Sequence, residues 1–139
     1  MAWAALILWI LTALGGFYLL TVWLRNGGMQ QADRPGRRIK PPLILGHFAL
    51  AATGLVLWII YVASDSDALA WIAFILLLVV ALLGFTMLAA WLAQRGGATA
   101  AETADAAERN FPQAVVGLHG VLAATTLVLV FLATIGVGD

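Results

Sequence analysis

Cysteine is absent from this 139-residue sequence, which excludes disulfides, thiolate metal sites and cysteine-based catalysis. Charge is nearly as scarce: acidic and basic residues together make 10% of the chain, and seven bases against seven acids leave it neutral. A nucleic-acid partner needs a basic excess that is not here. No nucleophile stands beside a base, no carboxylates pair within an apolar stretch, and no glycine-rich phosphate loop occurs. Turnover by the isolated chain is therefore not expected.

What fills the chain instead is hydrocarbon. Apolar side chains make 63% of it, far more than a soluble domain of this size can hide. The few charges are segregated, leaving apolar stretches at about 2–24, 43–63, 68–93 and 113–137. Each is close to or above the roughly 20 helical residues that cross about 30 Å of hydrocarbon. The sequence thus predicts an all-α integral membrane protein, a single transmembrane domain of four helices over 1–139. Met1 to Trp9 carries no base, unlike a signal peptide, so the first span is expected to be retained.

All seven bases fall on one side: Arg25, Arg34, Arg37, Arg38 and Lys40 around the first loop, Arg95 and Arg109 around the third. The positive-inside rule makes loops one and three cytoplasmic and puts both termini outside, in a multi-pass protein of the cell membrane. Trp23 and Trp91 precede the basic loops, while Trp3, Trp58, Tyr61 and Trp71 lie near the opposite ends, which reads as two interfacial belts. Pro41, Pro42 and Pro112 mark where spans two and four begin, and Gly27-Gly28 and Gly96-Gly97 mark where spans one and three stop. Thr99 to Arg109 reads as a short surface helix or as nothing ordered.

The most informative feature is internal. His47-Phe-Ala-Leu-Ala-Ala-Thr-Gly-Leu-Val-Leu57 matches His119-Gly-Val-Leu-Ala-Ala-Thr-Thr-Leu-Val-Leu129 except at the second, third and eighth positions. Gly16-Phe17-x-x-Leu20-x-x-Trp23-Leu24 returns as Gly84-Phe85-x-x-Leu88-x-x-Trp91-Leu92. The two matches keep their order, so the chain reads as two tandem copies of a two-helix hairpin, about 1–66 and 67–139. Two spans per copy keep the copies parallel, and the expected fold is a four-helix bundle with a pseudo-two-fold axis along the membrane normal.

The only two histidines, His47 and His119, are repeat mates. At 1.5 Å per residue both lie roughly 8 to 10 Å inside the cytoplasmic edge. Polar groups are costly in lipid, so such histidines are expected to face the interior and to have a partner. Zinc or copper ordinarily needs further protein ligands, and neither cysteine nor an intramembrane carboxylate is available. A haem supplies four nitrogens and asks for two axial ligands, which His47 and His119 meet. Leu50, Ala51 and Gly54 in one copy and Leu122, Ala123 and Thr126 in the other give a small or smooth face at helical spacing. Phe17 and Phe85 are candidates to pack on the macrocycle, with Gly16 and Gly84 beside them admitting its bulk. Arg37, Arg38 and Lys40 are candidates for its propionates. Met87 is a weaker ligand candidate, because its mate is Leu19.

In helix count and in the paired histidines His47 and His119, the sequence resembles small four-helix b-type cytochromes that serve as haem-bearing membrane anchors of oxidoreductases. The resemblance implies haem b and electron exchange with a quinone or a partner redox subunit; many such cytochromes carry two haems on four histidines, whereas His47 and His119 allow one bis-histidine haem b per chain. Two other classes stay open: a cofactor-free structural or assembly subunit of a membrane complex, whose Gly, Ala and Thr stripes only pack helices, and a small transporter. Partners are expected in the bilayer itself, in other redox subunits or in further copies of the chain.

Overall fold

The computed structural model of the protein describes residues 1–32, 39–95 and 105–138. Four helices account for most of them: α1 (Ala2–Arg25), α2 (Pro41–Ser64), α3 (Asp67–Arg95) and α4 (Gln113–Thr134). Short 3-10 turns at Gly28–Gln31 and Ala107–Asn110 lie in the two longer connections. All four helices are long and apolar enough to cross a membrane. The 24 residues of α1 or α2 extend about 36 Å, more than the hydrocarbon thickness of about 30 Å.

Local chemistry sets the ends. Pro41 and Pro42 occupy the first turn of α2, where a missing N–H costs nothing. Pro112 caps α4 in an extended conformation. The link between α2 and α3 turns on Asp65, at φ 53°, whose N–H donates to the Tyr61 carbonyl at 2.8 Å. The fourth apolar stretch runs to Val137, but α4 stops at Thr134. Gly136 adopts a left-handed φ of 81°, and the Val137 N–H reaches back to the Leu132 carbonyl at 2.9 Å. This glycine-dependent closure terminates a helix however apolar the residues after it. Arg34, Arg37 and Arg38, the Gly96-Gly97 pair, residues 99–104 of the third loop, and Asp139 lie outside the described residues.

The helices form a ring. α1 packs on α2 and most extensively on α4, while α3 packs on α4 and most extensively on α2, so α2 and α4 face each other across one diagonal. Side chains buried between the helices form two clusters. One surrounds Trp9, Trp58, Tyr61, Leu77 and Val80 toward the α2–α3 turn. The other surrounds Leu20, Trp23, Ile44 and Trp91 toward the two longer loops. Large apolar side chains such as Ile7, Leu14, Val56, Ile75, Leu82 and Val121 stand exposed on the outside.

The reading of the tryptophans as two surface belts needs correction. Trp3 and Trp71 are exposed, but Trp23, Trp58, Tyr61 and Trp91 are buried. They pack inside the bundle: Trp58 lies against Tyr61 with ring centroids 4.7 Å apart and donates its indole N–H to the Ala2 carbonyl at 3.3 Å. The spans are rich in alanine and glycine, and large rings fill the interior that such small side chains leave.

Candidate functional site: a histidine-lined cavity

Between the two clusters lies an apolar cavity of about 280 Å³ to which all four helices contribute. His47 enters it from α2 and His119 from α4, the helices on one diagonal. Each imidazole is held from the side by a neighbouring helix. His47 Nδ1 lies 3.0 Å from the Val80 carbonyl of α3, and His119 Nδ1 lies 3.0 Å from the Thr12 carbonyl of α1. A carbonyl oxygen only accepts, so each Nδ1 carries the proton and each neutral ring keeps its lone pair on Nε2. Neither Nε2 bonds to a described residue.

Glycine makes these positions reachable. A Cβ on Gly16 would stand 2.9 Å from His119 Cε1, and one on Gly84 would stand 3.3 Å from His47 Cε1. Each ring thus turns its Cε1 toward a glycine of the neighbouring helix, tightly at Gly16 and more loosely at Gly84. Thr12 and Val80 are 68 positions apart, as are Gly16 and Gly84, while the histidines are 72 apart. The same offsets run through the lining. Except for Leu55, Trp91 and Thr126, every residue lining the cavity has a mate 68 or 72 positions away that lines it too. Ala13 goes with Ala81, Leu20 with Leu88, Ile39 with Phe111, Ile44 with Val116, and Ala52 with Ala124.

Of the residues singled out from sequence, Gly16, Gly84, Phe17, Phe85, Ala51, Ala123 and Thr126 line the cavity together with the histidines, and so does Met87. Leu50, Leu122 and Gly54 do not line it. Gly54 instead receives the Trp9 ring, to which a Cβ would come within 3.0 Å, and Leu50 packs on the cluster around Trp58. The face is expected three, four and seven residues on from each histidine, whereas the cavity runs along positions one, four and five on both helices, at Phe48, Ala51 and Ala52 and at Gly120, Ala123 and Ala124, and then takes Leu55 on α2 and Thr126 on α4. Each histidine sits at the edge of that face, where it can reach a neighbouring helix. Sequence reasoning missed the carbonyls of Thr12 and Val80. Only the placement of those positions 68 apart, in step with Gly16 and Gly84, hinted at them.

The end nearest the longer loops is closed by Ile39 and Phe111, both cavity-lining, and a polar knot ties them down. The fully buried Gln31 side-chain amide donates to Glu108 Oε2 at 2.9 Å and to the Ile39 carbonyl at 3.3 Å, while its oxygen accepts from Ala107 N–H at 2.8 Å. The Trp91 indole and the Phe111 N–H both donate to the Glu108 carbonyl, at 3.0 and 3.2 Å. Residues 107–110 of the third loop are therefore a tucked-in 3-10 turn, with Ala107 and Glu108 buried, where the sequence reads as a surface helix or as nothing ordered. Lys40, the one propionate candidate within the described residues, stands exposed at the start of α2.

Among the described residues no three His, Cys, Asp or Glu side chains group as they do around an ordinary metal ion. The polar chemistry of the cavity is thus the two imidazoles and a pair of threonines, Thr12 and Thr126, whose hydroxyls meet at 3.1 Å. Comparison with protein-family models, curated proteins and solved structures gave no match.

Proposed function

We propose that the protein is a membrane-embedded b-type cytochrome that holds one haem between His47 and His119 and passes electrons to or from a quinone or a partner redox subunit. One observation carries the reading. Two histidines on diagonal helices have Nδ1 tied to a carbonyl and, among the described residues, Nε2 unpaired in a shared apolar cavity. An N–H tied to a carbonyl fixes the tautomer and orientation of an imidazole ligand and raises its basicity. The residues also suit a flat group: Gly16 and Gly84 keep the rings back against α1 and α3, and Ala51, Ala52, Ala123 and Ala124 leave room along the other two walls.

When bound, the haem supplies one-electron chemistry. The two imidazoles would hold the group, Phe17, Phe85, Leu20 and Leu88 would line its site, and the Ile39–Phe111 closure shuts the loop end. The paired offsets support two hairpin copies about a pseudo-two-fold axis, and the bias of bases toward loops one and three supports placing those loops in the cytoplasm.

A cofactor-free structural bundle is the second reading, favoured by the same Nδ1 bonds, which satisfy half of each imidazole. It leaves both Nε2 atoms without a partner beside an apolar cavity, an expense a purely structural histidine has no reason to carry. An absorption spectrum of the detergent-purified protein, oxidised and reduced, with haem counted per chain, separates the two. The cytochrome reading expects a low-spin b-type spectrum at one haem per chain, lost or converted in both His47→Ala and His119→Ala. A colourless protein from haem-replete cells refutes it.

A further inference from the structure

The two halves of the cavity wall are matched almost position for position, so their departures from one another are informative. At the depth of the histidines the α1–α2 seam carries two rings, Phe17 and Phe48, both exposed, with centroids 6.4 Å apart. The mates of this pair are Phe85 on α3 and Gly120 on α4, helices that also pack side by side. Gly120 lines the cavity, is exposed, and a Cβ built on it would meet nothing within 4 Å. Phe85 is also exposed. Where one seam carries two rings, the other carries one ring and open space.

Among the described residues the loop end gives no comparable opening. Ile39 is 1% exposed, and the Gln31–Glu108 knot holds both it and Phe111 in place. From these two facts we infer that the cavity is loaded sideways from the bilayer, through a window between α3 and α4 beside His119. The ligand is haem, so the inference rests on the cytochrome reading. A flat macrocycle presented edge-on needs a slot between two helices, not a wide mouth. The apolar flanks of this slot, with Leu118 and Val121 exposed beside Gly120, suit a ring already dissolved in lipid.

The test follows haem transfer by absorbance between phosphatidylcholine vesicles carrying haem and the haem-free protein reconstituted in separate vesicles, in both directions. Restoring the missing ring with Gly120→Phe should slow uptake and release at least tenfold. Opening the other seam with Phe48→Gly should speed both. Gln31→Ala, which loosens the loop-end closure but leaves the α3–α4 seam as it is, should leave both rates within about twofold. Faster exchange in Gln31→Ala with unaltered rates in Gly120→Phe overturns the window in favour of the loop end. If Gly120→Phe does not assemble, Gly120→Leu and Phe48→Gly decide the matter, and unchanged rates in both also overturn it. A wild-type protein that takes up no haem refutes the cytochrome reading itself, whereas uptake through the loop end refutes only the route.

Discussion

Adding a single methyl group at Gly16 and at Gly84 tests how each histidine is held, because the two sites differ by a few tenths of an ångström. In Gly16→Ala the new Cβ would lie 2.9 Å from His119 Cε1, well inside the 3.5 to 4.0 Å at which carbon atoms rest. The ring must retreat by about 0.6 Å or more to reach that range. Its Nδ1 bond to the Thr12 carbonyl, now 3.0 Å, then stretches toward the limit of a hydrogen bond. Loss of a buried bond of this kind costs about 1 to 3 kcal/mol, so haem affinity should fall by roughly 5- to 150-fold. In Gly84→Ala the corresponding approach to His47 is 3.3 Å, which a small ring movement relieves, and the loss should stay under about fivefold. Alanine in place of glycine also favours a helix by about 1 kcal/mol. Gly84→Ala should therefore unfold no more easily than the wild type even as its affinity dips. Titration of haem into the haem-free variants, alongside thermal unfolding in detergent, reads both effects. Equal losses at the two sites, or a larger one at Gly84, would refute the account of how the rings are seated.

Other expectations follow from the same coordinates. Gln31→Leu removes the amide that pairs with Glu108 and Ala107, leaving a buried carboxylate without that donor; it should cost about 3 kcal/mol or more, seen as a lowered Tm and faster proteolysis of the third loop. Thr126→Val removes the hydroxyl that meets Thr12 and should cost only about 0.6 kcal/mol, typical of interhelical hydrogen bonds in membrane proteins, with the haem spectrum retained. Trp58→Phe deletes the bond to the Ala2 carbonyl while keeping a ring against Tyr61, and should lower stability by about 1 kcal/mol in thermal unfolding.

The spans were legible because hydropathy and length leave little freedom once charge is segregated, and Pro41, Pro42 and Pro112 announced two of the starts. Helix rotation was not legible. An apolar helix in an apolar setting has no polar face to tell inside from outside, which is why Leu50, Leu122 and Gly54 were assigned to a face they do not share with the cavity. The buried tryptophans mislead for a related reason: an indole near a span end suits either the headgroup region or a bundle interior, where Trp58 and Trp91 find carbonyls for their N–H groups and Trp23 finds none among the described residues. His47 and His119 stood out because the sequence repeats around them. Their partners did not, since Thr12 and Val80 act through backbone oxygen and any side chain there would serve. The Gln31–Glu108 knot joins residues 77 positions apart in loops with no shared motif, and no local pattern could announce it.

The bonds that hold the two imidazoles cross between the hairpins. His47, in the first, takes its acceptor from α3, and His119, in the second, takes its acceptor from α1. Neither hairpin can seat its own imidazole; each completes the other. If the histidines hold a haem as proposed, a solitary hairpin has no seated ligand until a counterpart docks, and ligand readiness reports on assembly. Segments 1–66 and 67–139, produced as separate chains, should each lack colour and should acquire it only when they meet in the same membrane.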